Sequence, residues 1–471
     1  MKLPIRATTG FLCCSLLALL AACSDKDSGS EGLDGVAGSG NAYGWSTGGT
    51  GASAWTGTGG VISSVLPVLL IDVDGQEIPD EDKITGSLRV IEDHDGTHTN
   101  IAARPSSLEA PIGIEYRGQW SLQFPKKGYS IELRDEAGED LALPFLGMPP
   151  ESDWVLRAGY YDHTLMRDAL GFWLFRDVWG RYASRFRFVE VYLDGEYEGV
   201  YLACEKIKRD PNRVDLPRVA PDAATGDITG GYIVHIESNS GGEAFETSSG
   251  REWEYAYPNA SKITPEQEAY LTDFFDRFER AMDADDITDP TSGYRRWLDL
   301  QTAVDFALFQ ELAKNTDAYT KSSYYQKLPD SAGGKLLTAP IWDNDLSYGN
   351  FANGTDEPEG WMYEFSWNDP VPWWERIWAD DAFQNAARCR WQALRAGPLT
   401  TAAIDAVLDD FAAILVEAQP RENERWELIG HEESRSAYVG ETWQDDVDYL
   451  KSWVAERMAW MDAELDGTCR P

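Results

Sequence analysis

The stretch 303-AVDFALFQELAKNTDAYTKSSYYQK-327, followed by a short Gly-containing turn and by 335-KLLTAPIWDNDLSYG-349, decides how this chain is read. Its first part repeats Val304, Ala307, Leu308, Glu311 and Leu312 at helical spacing, which predicts an amphipathic helix. The pattern stops at Asn315-Thr316-Asp317, where short polar side chains compete for backbone hydrogen bonds and favour leaving the helix. Ser322 to Tyr325 reads as a strand and Asp330 to Gly334 as a turn. Leu336 to Ile341 reads as a second strand, which delivers Trp342-Asp343-Asn344-Asp345.

The spacing of Asp343 and Asp345 carries chemistry. Residues two apart on an extended chain share a face. Two carboxylates there, beside Ile341, Trp342 and Leu346, repel each other and lose hydration, so they call for a counter-charge. A hard divalent cation such as Mg²⁺ supplies one, because it accepts one or two carboxylates and leaves room for phosphate oxygens. A solvated turn has the same composition. Asn315-Thr316-Asp317, about 26 residues earlier at a helix–strand junction, argues for a site.

Working outward, 471 residues suit one large domain or two, and 19 Trp give an aromatic-rich core. The net charge of −39, spread along the chain, repels phosphate backbones and excludes sequence-independent nucleic-acid binding. An ATP-like anion would need local cations, from Lys, Arg or a metal. Five scattered His and no CxxC pair give no zinc pattern.

The N-terminus predicts a targeting segment over residues 1–22. Lys2 and Arg6 precede the apolar run Phe11 to Ala22, which is too short to span a membrane. The run ends Leu20-Ala21-Ala22-Cys23, which resembles the bacterial lipobox. That resemblance implies lipidation at Cys23, anchoring without spanning, and, with Ser24 next, an outer-membrane or cell-surface address rather than the cytoplasmic membrane. Residues 23–64, rich in Ser and Gly, read as a flexible tether. Of the later cysteines, Cys204 reads as a small core hydrophobe, and Cys389 with Cys469 form a candidate disulfide of an exported protein.

The folded part is expected over residues 65–466. Its class is α+β: a β-rich part over about 65–237, then a largely helical part over about 262–466. Ile112, Ile114 and Tyr116 alternate as a strand, and Pro125-Lys126-Lys127 opens the next one, Tyr129 to Leu133. A Lys pair there is a candidate phosphate clamp, though such pairs are also ordinary solvated charges. Thr164 through Trp179 reads as a helix. Phe188 to Leu193 and Tyr197 to Cys204, joined by Asp194-Gly195, read as a hairpin ending in Glu205 and Lys206. GGYIVHIE, 230–237, is a further strand, 239–262 a loop or insertion, and 350–374 an ordered loop over the site. Helices are expected over 265–284, 297–313, 378–394, 401–418 and 445–465.

Six blocks then stand in a familiar order: RGQWSLQFPKKGYSIEL (117–133), DWVLRAGYYDHTLMRDAL (153–170), VYLDGEYEGVYLACEKI (191–207), GGYIVHIE, NTDAY (315–319) and IWDNDLSYG (341–349). Together they resemble the CotH kinase family, the spore-coat type of atypical protein kinase, over roughly residues 66–465. The resemblance implies an atypical kinase-like fold and transfer of the ATP γ-phosphate to Ser or Thr hydroxyls of a protein substrate, with Mg²⁺ or Mn²⁺. By it, Asp317 matches the catalytic Asp and Asp343 the metal-binding Asp, with Asp345 assisting. Lys127 or Lys126 would contact nucleotide phosphates, Glu205 would orient that Lys or help hold metal, and Arg117 and Arg167 would support phosphate or the fold. Two features depart from ordinary kinases. The position five after Asp317 carries no Asn for a second metal, leaving one metal, a substitute such as Asn344, or weak activity. The span Gly118 to Gly128 is the only candidate for a nucleotide loop. A different class of reading is a surface binding protein that keeps the cleft and lacks strong catalysis; a metal-dependent hydrolase lacks a nucleophile or His to support it.

Overall fold

Alternation of side chains writes the first half of the chain into strands. In Asp153–Arg157, Trp154 and Leu156 face one way and Val155 and Arg157 the other. The computed structural model describes residues 63–92, 99–100, 106–237, 243–365 and 373–470. The leader, Cys23 and the tether as far as residue 62 lie outside them, while Ser63–Ser64, expected to be tether, pairs with Thr99–Asn100.

Seven strands close into a barrel. Around it run Phe186–Leu193, Glu196–Glu205, Asp153–Arg157, Gly128–Leu133, Leu108–Arg117, Ile84–Ile91 and Val68–Asp72. All neighbours are antiparallel except at the seam, where Val68–Asp72 runs parallel to Phe186–Leu193. Closure leaves no free edge to pair with another chain. Leu69, Leu88, Ile112, Ile131, Leu156 and Val191 fill the inside. The hairpin expected at Asp194-Gly195 is present.

A second sheet has five antiparallel strands in the order Ala244–Glu246, Glu252–Tyr257, Tyr232–Ile236, Ser323–Lys327, Leu336–Thr338. Part of the expected loop at 239–262 is strand, because Glu252-Trp-Glu-Tyr-Ala-Tyr buries Trp253 and Tyr255 on alternate positions. The two strands expected after Asp317 are present: Ser323–Lys327 pairs with Tyr232–Ile236, and Leu336–Thr338, which ends short of the expected Ile341, pairs with Ser323–Lys327.

Helix α1 (Arg167–Trp173) is shorter than the expected 164–179 and continues as a π turn, Leu174–Val178. It is followed by α2 (Pro265–Asp283), α3 (Leu300–Ala313), α4 (Trp373–Trp378), α5 (Asp381–Arg395), α6 (Thr401–Leu415), α7 (Gln419–Trp426) and α8 (Trp443–Glu464). α2 opens with Thr264 and Gln267 as a reciprocal cap. The helix expected to be amphipathic, α3, is buried on every side. Its polar residues are neutralised inside: Asp305 by Arg181 at 2.7 Å and Arg390 at 2.6 Å, and Glu311 by Arg457 at 3.4 Å. The apolar stripe hid this, because the sequence does not show the arginines that arrive from elsewhere. A disulfide joins Cys389 on α5 to Cys469, and Cys204 is a buried free thiol. No described helix is long and apolar enough to cross a membrane.

Candidate active site

The side chain of Asn315 ties the end of α3 to the Asp343 turn, beside the Tyr348 N–H that donates to the Ala313 carbonyl at 2.8 Å. Lys314 leaves the helix in the left-handed region at φ 41°. Asn315 Oδ1 then accepts the Asp317 N–H at 3.0 Å, and its Nδ2 donates to the Asp343 carbonyl at 2.6 Å. Two segments about 26 residues apart thus become one wall, with Asn315 itself 3% exposed.

The turn differs from the sequence expectation in one respect. The strand ends at Thr338, and Asp343 has φ 50°, so Asp343 and Asp345 do not share a face by strand alternation. A non-glycine residue in that region is strained and persists only when its surroundings hold it. Arg157 Nη2 holds Asp343 Oδ1 at 2.7 Å, and the Ser322 hydroxyl donates to Asp343 Oδ2 at 2.9 Å. What unites the two carboxylates is Arg157, which also lies 4.0 Å from Asp345 Oδ1 and bonds Asp168 Oδ2 at 2.6 Å. Asp168, from α1, takes the Asn344 N–H on its other oxygen at 2.8 Å. The guanidiniums of Arg157 and Arg117 sit over the Trp342 ring, 4.8 and 5.2 Å from its centre.

Electrostatics sorts these carboxylates. Burial pushes Asp343 up, but Arg157 and then Arg117 outweigh it, and its carboxyl ends below the usual range. Burial raises Asp345, with Asp168 and Asp343 adding to it against Arg157. Burial likewise raises Asp168. Asp317 is raised to about 6, first by burial and then by Asp343 and Glu237, with Lys321 opposing. Glu237, at the end of its strand, stands 3.3 Å from the Ser322 hydroxyl. One hydroxyl hydrogen cannot serve both Glu237 and Asp343 at once, and the shorter contact assigns it to Asp343. Behind them His235 Nε2 lies 3.4 Å from Glu254 and stacks on Tyr324 at 4.7 Å. Burial pushes His235 down to about 4. It pushes Glu254 up to about 7, helped by Glu237, Glu243 and Glu252.

Not every expected residue reaches this cleft. Arg117 does, and it makes no hydrogen bond or ion pair among the described residues. Lys126 does not: 1% exposed, it bonds Glu422 of α7 at 2.7 Å and the Val200 carbonyl at 2.5 Å. Lys127 caps the carbonyls of Leu122 and Phe124 at the end of the turn Trp120–Gln123. Glu205 is not the partner of either lysine. Its buried carboxylate takes Arg185 at 2.8 Å and faces Arg213 at 3.9 Å. Arg167 is buried and structural, bonding Asp162 at 2.6 Å and the Ser347 carbonyl at 3.1 Å. Asn344 is fully buried against Gly171, where a Cβ would come within 2.7 Å of its amide, so its side chain packs on α1.

Sequence reasoning missed Arg157, Asp168, Ser322 and Glu237 as members of the site, and placed Asn315 in it without its linking role. The signals existed: Arg157 and Asp168 lie in one quoted block, and Ser322 stands five after Asp317. Among the described residues no three acidic, His or Cys side chains form a ready metal cluster. The donor chemistry nonetheless fits a hard cation completed by substrate: carboxylate oxygens of Asp343 and Asp345, with Asp343 37% exposed and crowded by like charge.

No curated protein matches the chain closely. The family described as CotH kinase protein matches residues 114–461, a span that holds Arg117, Arg157, Asp317 and Asp343 and covers well over half of the sequence. The chain belongs to the CotH kinase family.

Proposed function

We propose that this chain is an atypical protein kinase with a kinase-like fold, which transfers the ATP γ-phosphate to Ser or Thr of envelope or extracellular proteins. Family membership supports a kinase-like protein in general terms. The observation that carries the finer reading is the Asn315 link, which brings Asp317 beside Asp343. Phosphoryl transfer asks for positioning and charge neutralisation more than for a strong nucleophile. In this reading Asp317 accepts the hydroxyl proton as the Ser or Thr oxygen bonds phosphorus and the bond to the ADP oxygen breaks. Asp343, assisted by Asp345, would hold Mg²⁺ or Mn²⁺, which when bound neutralises phosphate oxygens. Arg117, which stacks on Trp342 and after Arg157 does most to lower Asp343, replaces the lysine pair as the phosphate ligand of choice. Lipidation at Cys23 would hold the domain at the outer membrane or cell surface.

A second reading, a kinase-like surface binding protein without strong catalysis, is favoured by the commitment of Lys126 and Lys127 elsewhere. Labelled ATP with Mg²⁺ or Mn²⁺ separates the two. The purified protein is expected to label itself or a generic Ser/Thr acceptor, and Asp317→Ala and Asp343→Ala are each expected to abolish the label while the protein stays folded. Absence of label in the folded wild type would make the binding protein the better account.

A further inference from the structure

We propose that Arg157 is a built-in counter-cation that takes the charge role of a second metal ion, so that this site loads one divalent cation. The inference rests on the kinase reading for its purpose but on Arg157 for its geometry. Arg157 comes from the outer face of a barrel strand, is 12% exposed, and reaches three carboxylates: Asp168 at 2.6 Å, Asp343 at 2.7 Å and Asp345 at 4.0 Å. Stacking on Trp342 fixes its plane. A small cavity beside it is lined by Arg157, Asp162, Asp168 and Asp345 together with apolar side chains such as Leu165 and Val200, so the side of the cluster away from Asp343 faces protein. Asp162 is already matched by Arg167.

The charges then close. Around Arg157, three carboxylates, one guanidinium and one divalent ion make a neutral set, and the next charges out, Arg117 and Lys321 against Asp317 and Glu237, cancel each other. A second divalent ion would leave the set two charges positive. The ligands agree with that count. In ordinary kinases an Asn five after the catalytic Asp holds the second ion. Here the position is Ser322, whose hydroxyl is directed at Asp343 Oδ2, while Asp343 Oδ1 is occupied by Arg157. Asn344, the remaining amide of the turn, is packed on α1 against Gly171. Guanidinium cannot be deprotonated in a protein, so this charge is permanent.

Mn²⁺ binding to the purified full chain tests this, by titration calorimetry and by the loss of the free-ion electron paramagnetic signal, with and without a non-hydrolysable ATP analogue. Wild type is expected to take one ion per chain. Arg157→Gln is expected to take two, the second at least tenfold tighter than to wild type, and Arg157→Lys to return to one. Two ions in wild type, none, or one in a folded Arg157→Gln would overturn the inference. If Arg157→Gln does not fold, by circular dichroism, the wild-type count and Arg157→Lys still decide, since two ions in either overturns it. One ion with no effect of the nucleotide analogue would instead count against the kinase reading and leave Arg157 standing.

Discussion

Two buried ionic nodes in this molecule look alike in composition and behave differently. At the first, α7 docks on the barrel. Lys126 meets Glu422 and the Val200 carbonyl, Glu422 Oε2 accepts the Val200 N–H at 2.6 Å, and Gly199, at φ 104°, leaves the space that Glu422 fills. One cation faces one anion, and each oxygen of that carboxylate has a partner, Lys126 on Oε1 and the Val200 N–H on Oε2. At the second, one guanidinium is shared by Asp168, Asp343 and Asp345. The first node is complete and acts as a latch. The second is short of positive charge and accessible at Asp343, the condition expected of a site that waits for a cationic or phosphate-bearing ligand.

Breaking the latch should have the largest effect. Glu422→Ala leaves the Lys126 ammonium buried without a counter-charge and removes the acceptor of the Val200 N–H, at a cost of roughly 3–5 kcal/mol. Denaturant unfolding with a fluorescence readout measures it. A loss below about 1 kcal/mol would mean that the latch is not the complete node its geometry describes.

The next effect sharpens the contrast by pH. Glu254, 14% exposed, sits behind the cleft with Glu237, Glu243 and Glu252 against it and a neutral His235 beside it. Its carboxyl is raised from 4.5 to about 7 in the folded state. A raised carboxyl contributes stability that is complete below its unfolded value and lost as pH rises through the folded one. Stability should therefore fall between about pH 4.5 and 7, by at most about 3 kcal/mol from this group. Glu254→Gln should flatten that part of the profile. An unchanged slope would show that another group carries it.

A smaller and opposite effect is expected inside the cleft itself. Asp345→Asn removes one of three like charges around Arg157 without changing the shape of the side chain. It should raise the stability of the metal-free protein by on the order of 1 kcal/mol while weakening Mn²⁺ binding. Stabilisation together with lost binding marks a site whose charge imbalance is kept for function. A loss of stability would place Asp345 with the latch instead.

These residues also show what was legible beforehand. Period-2 alternation gave the barrel strands, and the stop of the helical stripe at Asn315-Thr316-Asp317 located one wall of the cleft. The family resemblance is borne out. Partnership was not legible. Lys126 and Glu422 are almost 300 residues apart, and nothing local to Pro125-Lys126-Lys127 distinguishes a latch from a phosphate clamp. Arg157 was hidden for the same reason: an alternating strand predicts that it points away from Leu156 and is silent about what it meets. The Asp343 turn was misread because the left-handed backbone at a non-glycine residue is imposed by Arg157, Ser322 and Asn315, not by the residues beside it.

Lys127 supplies the finest test of the comparison. Its ammonium caps the Leu122 and Phe124 carbonyls, partners that are neutral and half-exposed at most, so it is tied more weakly than Lys126. Lys127→Ala should cost about 0.5–1 kcal/mol, the worth of ordinary hydrogen bonds. If the phosphate ligand is Arg117, Lys127→Ala should keep phosphate labelling within a few-fold while Arg117→Ala loses it, both read on folded protein. Loss of label with Lys127→Ala alone would mean that this lysine exchanges two carbonyls for a phosphate when nucleotide arrives. It would then belong to the cleft, and the line between latch and site would run between two neighbouring lysines.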